Sequence, residues 1–159
     1  MPAKNFNISF LVDQSPMEVF NAINNVRGWW SETVEGGTEK LHDEFIYRHK
    51  DIHYSKQKLI EVVPGEKVIW LVTDSSLSFV KDKEEWTDTT ISFEIKPKGD
   101  KTQLVFTHHG LIPEFECYDA CSGGWGYYIN NSLLPLIRTA KGQPDKKETN
   151  SKSKRETIK

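Results

Sequence analysis

The residues of this chain best suited to chemistry are His108, His109, Cys117 and Cys121, close together in the sequence. Two histidines followed by Cys-x3-Cys are loosely zinc-like. The spacing argues against shared ligation, because adjacent residues on a strand point to opposite faces. No metal site and no cofactor are therefore expected. Nucleophilic catalysis has equally little support, since no Gly-x-Ser-x-Gly motif is present. Gly36-Gly37 lacks the lysine and the spacing of a phosphate-binding loop. His108 alternates with Leu104 and Phe106, so it should face inward. There it is either a hydrogen-bonded core histidine or a polar anchor at the end of a pocket. Proton transfer by His108 would need a carboxylate beside it and a substrate carbonyl in reach. No catalytic residue is assigned.

The other chemistry on offer is ring burial. The chain has five Trp, eight Phe and five Tyr. Such side chains line pockets as well as fill cores. The candidate ligand-binding residues are Trp29, Trp30, Trp70, Phe93, Phe106, His108, Trp125, Tyr128 and Ile129. Trp125 leads them, because Gly123, Gly124 and Gly126 around it leave backbone space for a ligand or for the first helix. Tyr47, Arg48, His49 and Tyr54 lie on candidate inner strands and are read as rim or solvent-facing groups.

These residues need elements to position them. Residues 6–12 read as a strand. Ser15-Pro16-Met17-Glu18 is a capping box with proline in the first turn, so a helix runs from Pro16 to Asn24-Asn25. Val26, Trp29 and Trp30 are spaced for a short second helix. Strand-like runs then follow in series: 44–50, 52–63, 67–73, 87–96 and 102–109, with turn signals at Pro64-Gly65 and 97–100. A charged, Ser-rich connection spans 74–85. Strands in series joined by tight turns predict an antiparallel meander. The last element is a helix, with Tyr118, Cys121, Trp125, Ile129, Leu133, Leu136, Ile137 and Ala140 on one stripe. Gly142 is read as its stop, Pro144 confirms the end, and Pro135 predicts a kink. Neither the helix nor the meander can bury its apolar face alone, so the two must pack together.

A length of 159 residues suits one domain. The net charge of −2 is uneven: residues 143–159 carry +3 and leave the body at −5. An acidic body is not what a nucleic-acid-binding domain requires. Residues 1–142 are expected to form the domain, and 143–159 a solvated, disordered tail. No apolar stretch is long enough for a transmembrane helix, and the N-terminus lacks a signal-peptide core. Cys117 and Cys121 are too close on one helix for a good disulfide, so free thiols in a reducing cytoplasm are expected.

The order of these elements resembles the helix-grip fold of the START-like, pollen-allergen-like superfamily, often labelled SRPBCC. Residues 15–22 followed by Trp29-Trp30 carry the resemblance near the start. Near the end it is carried by residues 107–111, 124–128, 132–134 and 140–144. Together they are similar to the subfamily related to the C-terminal domain of the activator of the ninety-kilodalton heat-shock chaperone's ATPase. The resemblance covers roughly residues 5 to 144. It implies an α+β fold in which a curved antiparallel sheet of six or seven strands wraps a long C-terminal helix. It also implies binding of a hydrophobic small molecule between sheet and helix, with a co-chaperone or stress-related protein-interaction role as the alternative. A cyclase or lyase, as in some distant relatives, is the third reading. The protein is expected to be a monomer or homodimer.

Overall fold

The computed structural model describes residues 6–49, 53–78, 86–111 and 118–145. Strand β1 (Phe6–Val12) leads into helix α1 (Pro16–Asn24), then α2 (Val26–Trp29). Six strands follow: β2 (Glu35–Gly36), β3 (Glu44–His49), β4 (His53–Val63), β5 (Lys67–Leu77), β6 (Thr90–Lys98) and β7 (Lys101–His109). The chain closes with α3 (Tyr118–Tyr128), a π-helical turn (Ile129–Leu133) and α4 (Leu134–Thr139). All seven strands form one antiparallel sheet, ordered β1-β7-β6-β5-β4-β3-β2. It is the expected meander, with β1 returning beside the last strand. This is the α+β helix-grip architecture.

Local chemistry explains each element. The Ser15 side chain accepts from the Glu18 amide at 3.2 Å, and the Glu18 carboxylate accepts from the Ser15 amide at 2.9 Å. Both orphan donors at the start of α1 are thereby satisfied. Register shifts in β4 at Lys56/Gln57 and Leu59/Glu61 mark irregularities that bend the two longest strands. That bending makes the sheet concave toward α3. The inward positions of β5, β6 and β7 put Val68, Trp70, Ile91, Phe93, Leu104 and Phe106 into the core, all fully buried.

Several expectations are corrected. The connection read from Asp74 begins later, because β5 continues to Leu77. Ser75 and Leu77 point inward and are buried, so the alternation persists through a serine-rich stretch that looks like loop. Glu35–Gly36 forms a short strand, β2, that the expected runs do not include, and Thr87 precedes β6. The effect of Pro135 is felt upstream of the proline. It has no amide proton to offer the Asn131 carbonyl, and the preceding turn is wound as a π-helix, with the Leu134 amide bonded to Ile129. Ala140, at φ 65°, ends the helix in the left-handed conformation, and Gly142 does not. Gly142 is needed for another reason: a Cβ there would lie 2.2 Å from the Gly28 carbonyl.

The chain past α4 lies back on the body. Ser132, fully buried, donates to the Trp29 carbonyl at 2.6 Å and accepts from the Gln143 amide at 2.7 Å. Pro144 is buried. The Asp145 amide donates to Trp30 at 2.9 Å, and the Asp145 carbonyl accepts from Glu32 at 2.9 Å. Residues 143–145 of the expected tail are therefore fixed against α2, and the rest of that tail lies outside the described residues. No helix among the described residues is long and apolar enough to cross a membrane.

Candidate ligand-binding site

A cavity of about 180 Å³ opens between α3, the inner ends of β3 and β4, and the turn at Trp86. Trp30, Trp86 and Trp125 wall it, and Tyr47, His49, His53 and Tyr128 supply its polar rim. On the helix side stand Ala120, Cys121 and Gly124. These small residues create the space. A Cβ at Gly124 would have nothing within 4 Å. Gly123 and Gly126 also face open space, so the three glycines do not serve a close approach of the first helix.

The walls are held by a relay of hydrogen bonds through His108, which is fully buried. The Trp125 indole donates to His108 Nδ1 at 3.0 Å. His108 Nε2 lies 2.8 Å from Thr89 Oγ1, and Thr89 donates to the Trp86 carbonyl at 2.6 Å. Since Nδ1 accepts, a neutral ring carries its proton on Nε2 and donates it to Thr89. Burial drives the His108 pKa down to about 3, helped by His109 and His53. His108 is thus the satisfied core histidine, and it positions two cavity tryptophans without facing the cavity. His109 points the other way, to Ser92 at 3.0 Å. Among the described residues no three His, Cys, Asp or Glu side chains gather as a metal set. Cys117 lies outside those residues.

The rim is organised by Asp145. Its carboxylate accepts from Tyr47 at 2.8 Å and from Tyr128 at 2.8 Å, and the two phenol oxygens are 3.1 Å apart. His49 Nδ1 sits 3.4 Å from the same carboxylate. Burial, then the neighbouring phenol and the carboxylate, push the Tyr47 hydroxyl well above its ordinary range. Tyr128 is raised as well, first by burial. His53 stacks edge-on against Trp86, with centroids 4.5 Å apart, and against Tyr47 at 5.1 Å. Burial lowers its pKa to about 3, with a further push from His49.

The residues expected at a site divide between two places. Trp30, Trp125 and Tyr128 stand on the cavity. Trp29, Trp70, Phe93, Phe106 and Ile129 are fully buried in the packed core instead. Tyr47, read as rim or solvent-facing, stands at the cavity rim, although it is only 3% exposed. His49 stands at the mouth, while Arg48 lies over the Tyr54 ring on the opposite face of β3. Cys121, expected on the inward stripe of the last helix, lines the cavity; sequence reasoning missed Trp86, His53 and Asp145. Of these only Trp86 carried a signal: a lone tryptophan at the end of a charged connection has little reason to be there unless it is buried.

The family model of the Activator of Hsp90 ATPase homolog 1-like protein matches residues 13–136. The chain belongs to this family. Among solved structures, the Aha1 dimer of Colwellia psychrerythraea is 20% identical, with a TM-score of 0.71, over 87% of this chain and 99% of that one. Protein MLL2253 of Mesorhizobium loti is 14% identical with a TM-score of 0.68, over 86% and 98%. DynU16, from the dynemicin biosynthetic locus, is 13% identical with a TM-score of 0.63, and the match covers 92% of this chain but 52% of DynU16. At these identities the likeness is one of fold. No curated protein matches the chain in sequence.

Proposed function

We propose that this domain binds a small ring-bearing molecule in the cavity between α3 and the open end of the sheet. The observation that carries the reading is an apolar space bounded by three tryptophans, with small residues on the facing helix. A cavity of about 150 Å³ is enough to hold benzene. The 180 Å³ here suits one or two rings and is small for a long acyl chain. Burial of ring surface supplies affinity at about 25 cal/mol per Å2. Catalysis is disfavoured by the same groups: His108 is committed at both nitrogens, and His53, with a pKa of about 3, is a weak base at neutral pH.

The test is thermal shift with indole as probe, on the wild type and on Gly124→Leu. The wild type should gain about 2–3 kcal/mol when indole reaches a hundredfold excess over its Kd, which raises Tm by roughly 5–10 °C. Gly124→Leu places its side chain in the cavity and should abolish the gain while keeping the fold. An equal shift in both proteins would place the binding elsewhere. A co-chaperone role is the second reading, favoured by the family to which the chain belongs. It predicts that the purified protein alters the ATPase rate of an Hsp90-type chaperone, and that Gly124→Leu leaves this effect intact. Sedimentation would decide whether the protein forms a dimer, as its Colwellia relative does.

A further inference from the structure

We infer that the cavity selects a small organic cation, an alkylated ammonium, over neutral or acidic molecules of the same shape. The inference rests on the reading that the cavity is a ligand site, and it names the class of ligand. Three features of the lining support it.

The first is the wall. Trp30, Trp86, Trp125, Tyr47 and Tyr128 surround the space, and ring faces attract cations through their quadrupole. The second is the direction of the hydrogen bonds. Tyr47 and Tyr128 hold a carboxylate, and their hydroxyl protons are used within that cluster. The Trp86 indole donates to Cys121 Sγ at 3.3 Å, and the Trp125 indole to His108. These four donors are spent inside the protein and are not available to an anion. Phenols that donate to a carboxylate also become more electron-rich, which strengthens their attraction for a cation.

The third feature is charge. Among the described residues no lysine or arginine lines the cavity. Arg27 is turned away to the Val34 and Gly36 carbonyls, and Arg48 to Tyr54. Burial disfavours a charge on His53, and among the described residues the exposed His49 is the remaining basic group at the mouth. The Asp145 carboxylate is bonded to the hydroxyls of the two rim phenols. That charge favours an ammonium in the cavity over a carboxylate.

The experiment compares choline with its neutral carbon isostere 3,3-dimethyl-1-butanol, with indole as the control for an accessible cavity. Binding is followed by NMR titration of the full chain. The expected result is choline at least about tenfold tighter than the isostere, the range of a partly desolvated cation–π site. Asp145→Asn should cut that advantage to about threefold or less. If that variant fails to fold, Trp86→Leu serves, and it should weaken choline more than the isostere. An isostere that binds as well as choline, or indole binding without choline, overturns the cation inference and leaves the cavity reading standing. If none of the three binds, both fall. An advantage for choline that Asp145→Asn and Trp86→Leu both leave untouched also overturns the assignment.

Discussion

The aromatic core has two ends built from the same residue types. At one, Trp29, Trp70 and Phe93 pack against one another with centroids 4.9 to 6.3 Å apart, and Phe45 closes on Trp70 at 4.9 Å. Every ring there is buried. At the other, Trp86 and Trp125 stack at 5.7 Å, and Tyr47 stacks on Trp30 at 4.2 Å, yet a cavity remains beside them. The difference lies in what faces the rings. The filled end is capped by α1 and α2, whose Val19, Ile23 and Val26 are fully buried. The open end faces Ala120 and Gly124 on α3 and is rimmed by hydroxyls and imidazoles. Ring content alone therefore does not mark a site; small residues opposite large rings do.

Polar economy differs as well, in the unexpected direction. The filled end contains Trp70 Nε1, buried with no hydrogen-bond partner. The open end satisfies the Trp125 indole through His108 and the Trp86 indole through Cys121. Stability concentrates where packing tolerates an unpaired donor, and order concentrates where a void must be held open.

The largest test of this contrast is truncation at each end. Trp70→Ala should cost about 3–5 kcal/mol in urea unfolding. Trp86→Ala should cost less, about 2–3 kcal/mol, since its ring borders the cavity. Equal losses would erase the distinction. Acid should come next. His108 and His53 have folded pKa values near 3, below the unfolded value of about 6.5. The unfolded chain thus binds more protons between those limits, and stability falls as pH drops from 6.5 toward 3. Each group contributes a slope of up to about 1.4 kcal/mol per pH unit near pH 5. His108→Leu should remove half of that slope as well as lowering stability at neutral pH, where it strands the Trp125 indole.

Smaller effects probe the strap that finishes the open end. Ending the chain after Gly142 removes Asp145 and its bonds to Trp30, Glu32, Tyr47 and Tyr128. About 1–2 kcal/mol should be lost, read as a fall of several degrees in Tm. An unchanged Tm would show that the rim needs no strap. The smallest expected effect is a gain: Ala140→Gly relieves a left-handed alanine and should add about 0.5–1 kcal/mol at the helix end.

Much of the scaffold was legible before any coordinates. Ser15-Pro16-Met17-Glu18 announces α1, and the alternation of Ile91, Phe93 and Ile95, or of Leu104, Phe106 and His108, announces β6 and β7. These are local signals that a strand or helix writes into its own residues. The site was legible only in part, because its residues come from segments that meet only through the fold. Trp86 follows a charged connection, His53 sits at a strand start beside polar neighbours, and Asp145 lies in a basic, polar stretch past the last helix. Nothing within a few residues of Asp145 refers to Tyr47, almost a hundred positions earlier.

That remoteness has a consequence for heredity. The family match ends at residue 136, and the carboxylate that sets the charge of the rim arrives at 145. A lineage could exchange this short trailing segment and change what the cavity accepts while every strand and helix stayed in place. Kinship across the shared body thus predicts shape better than taste, and guests of related proteins should be compared strap by strap.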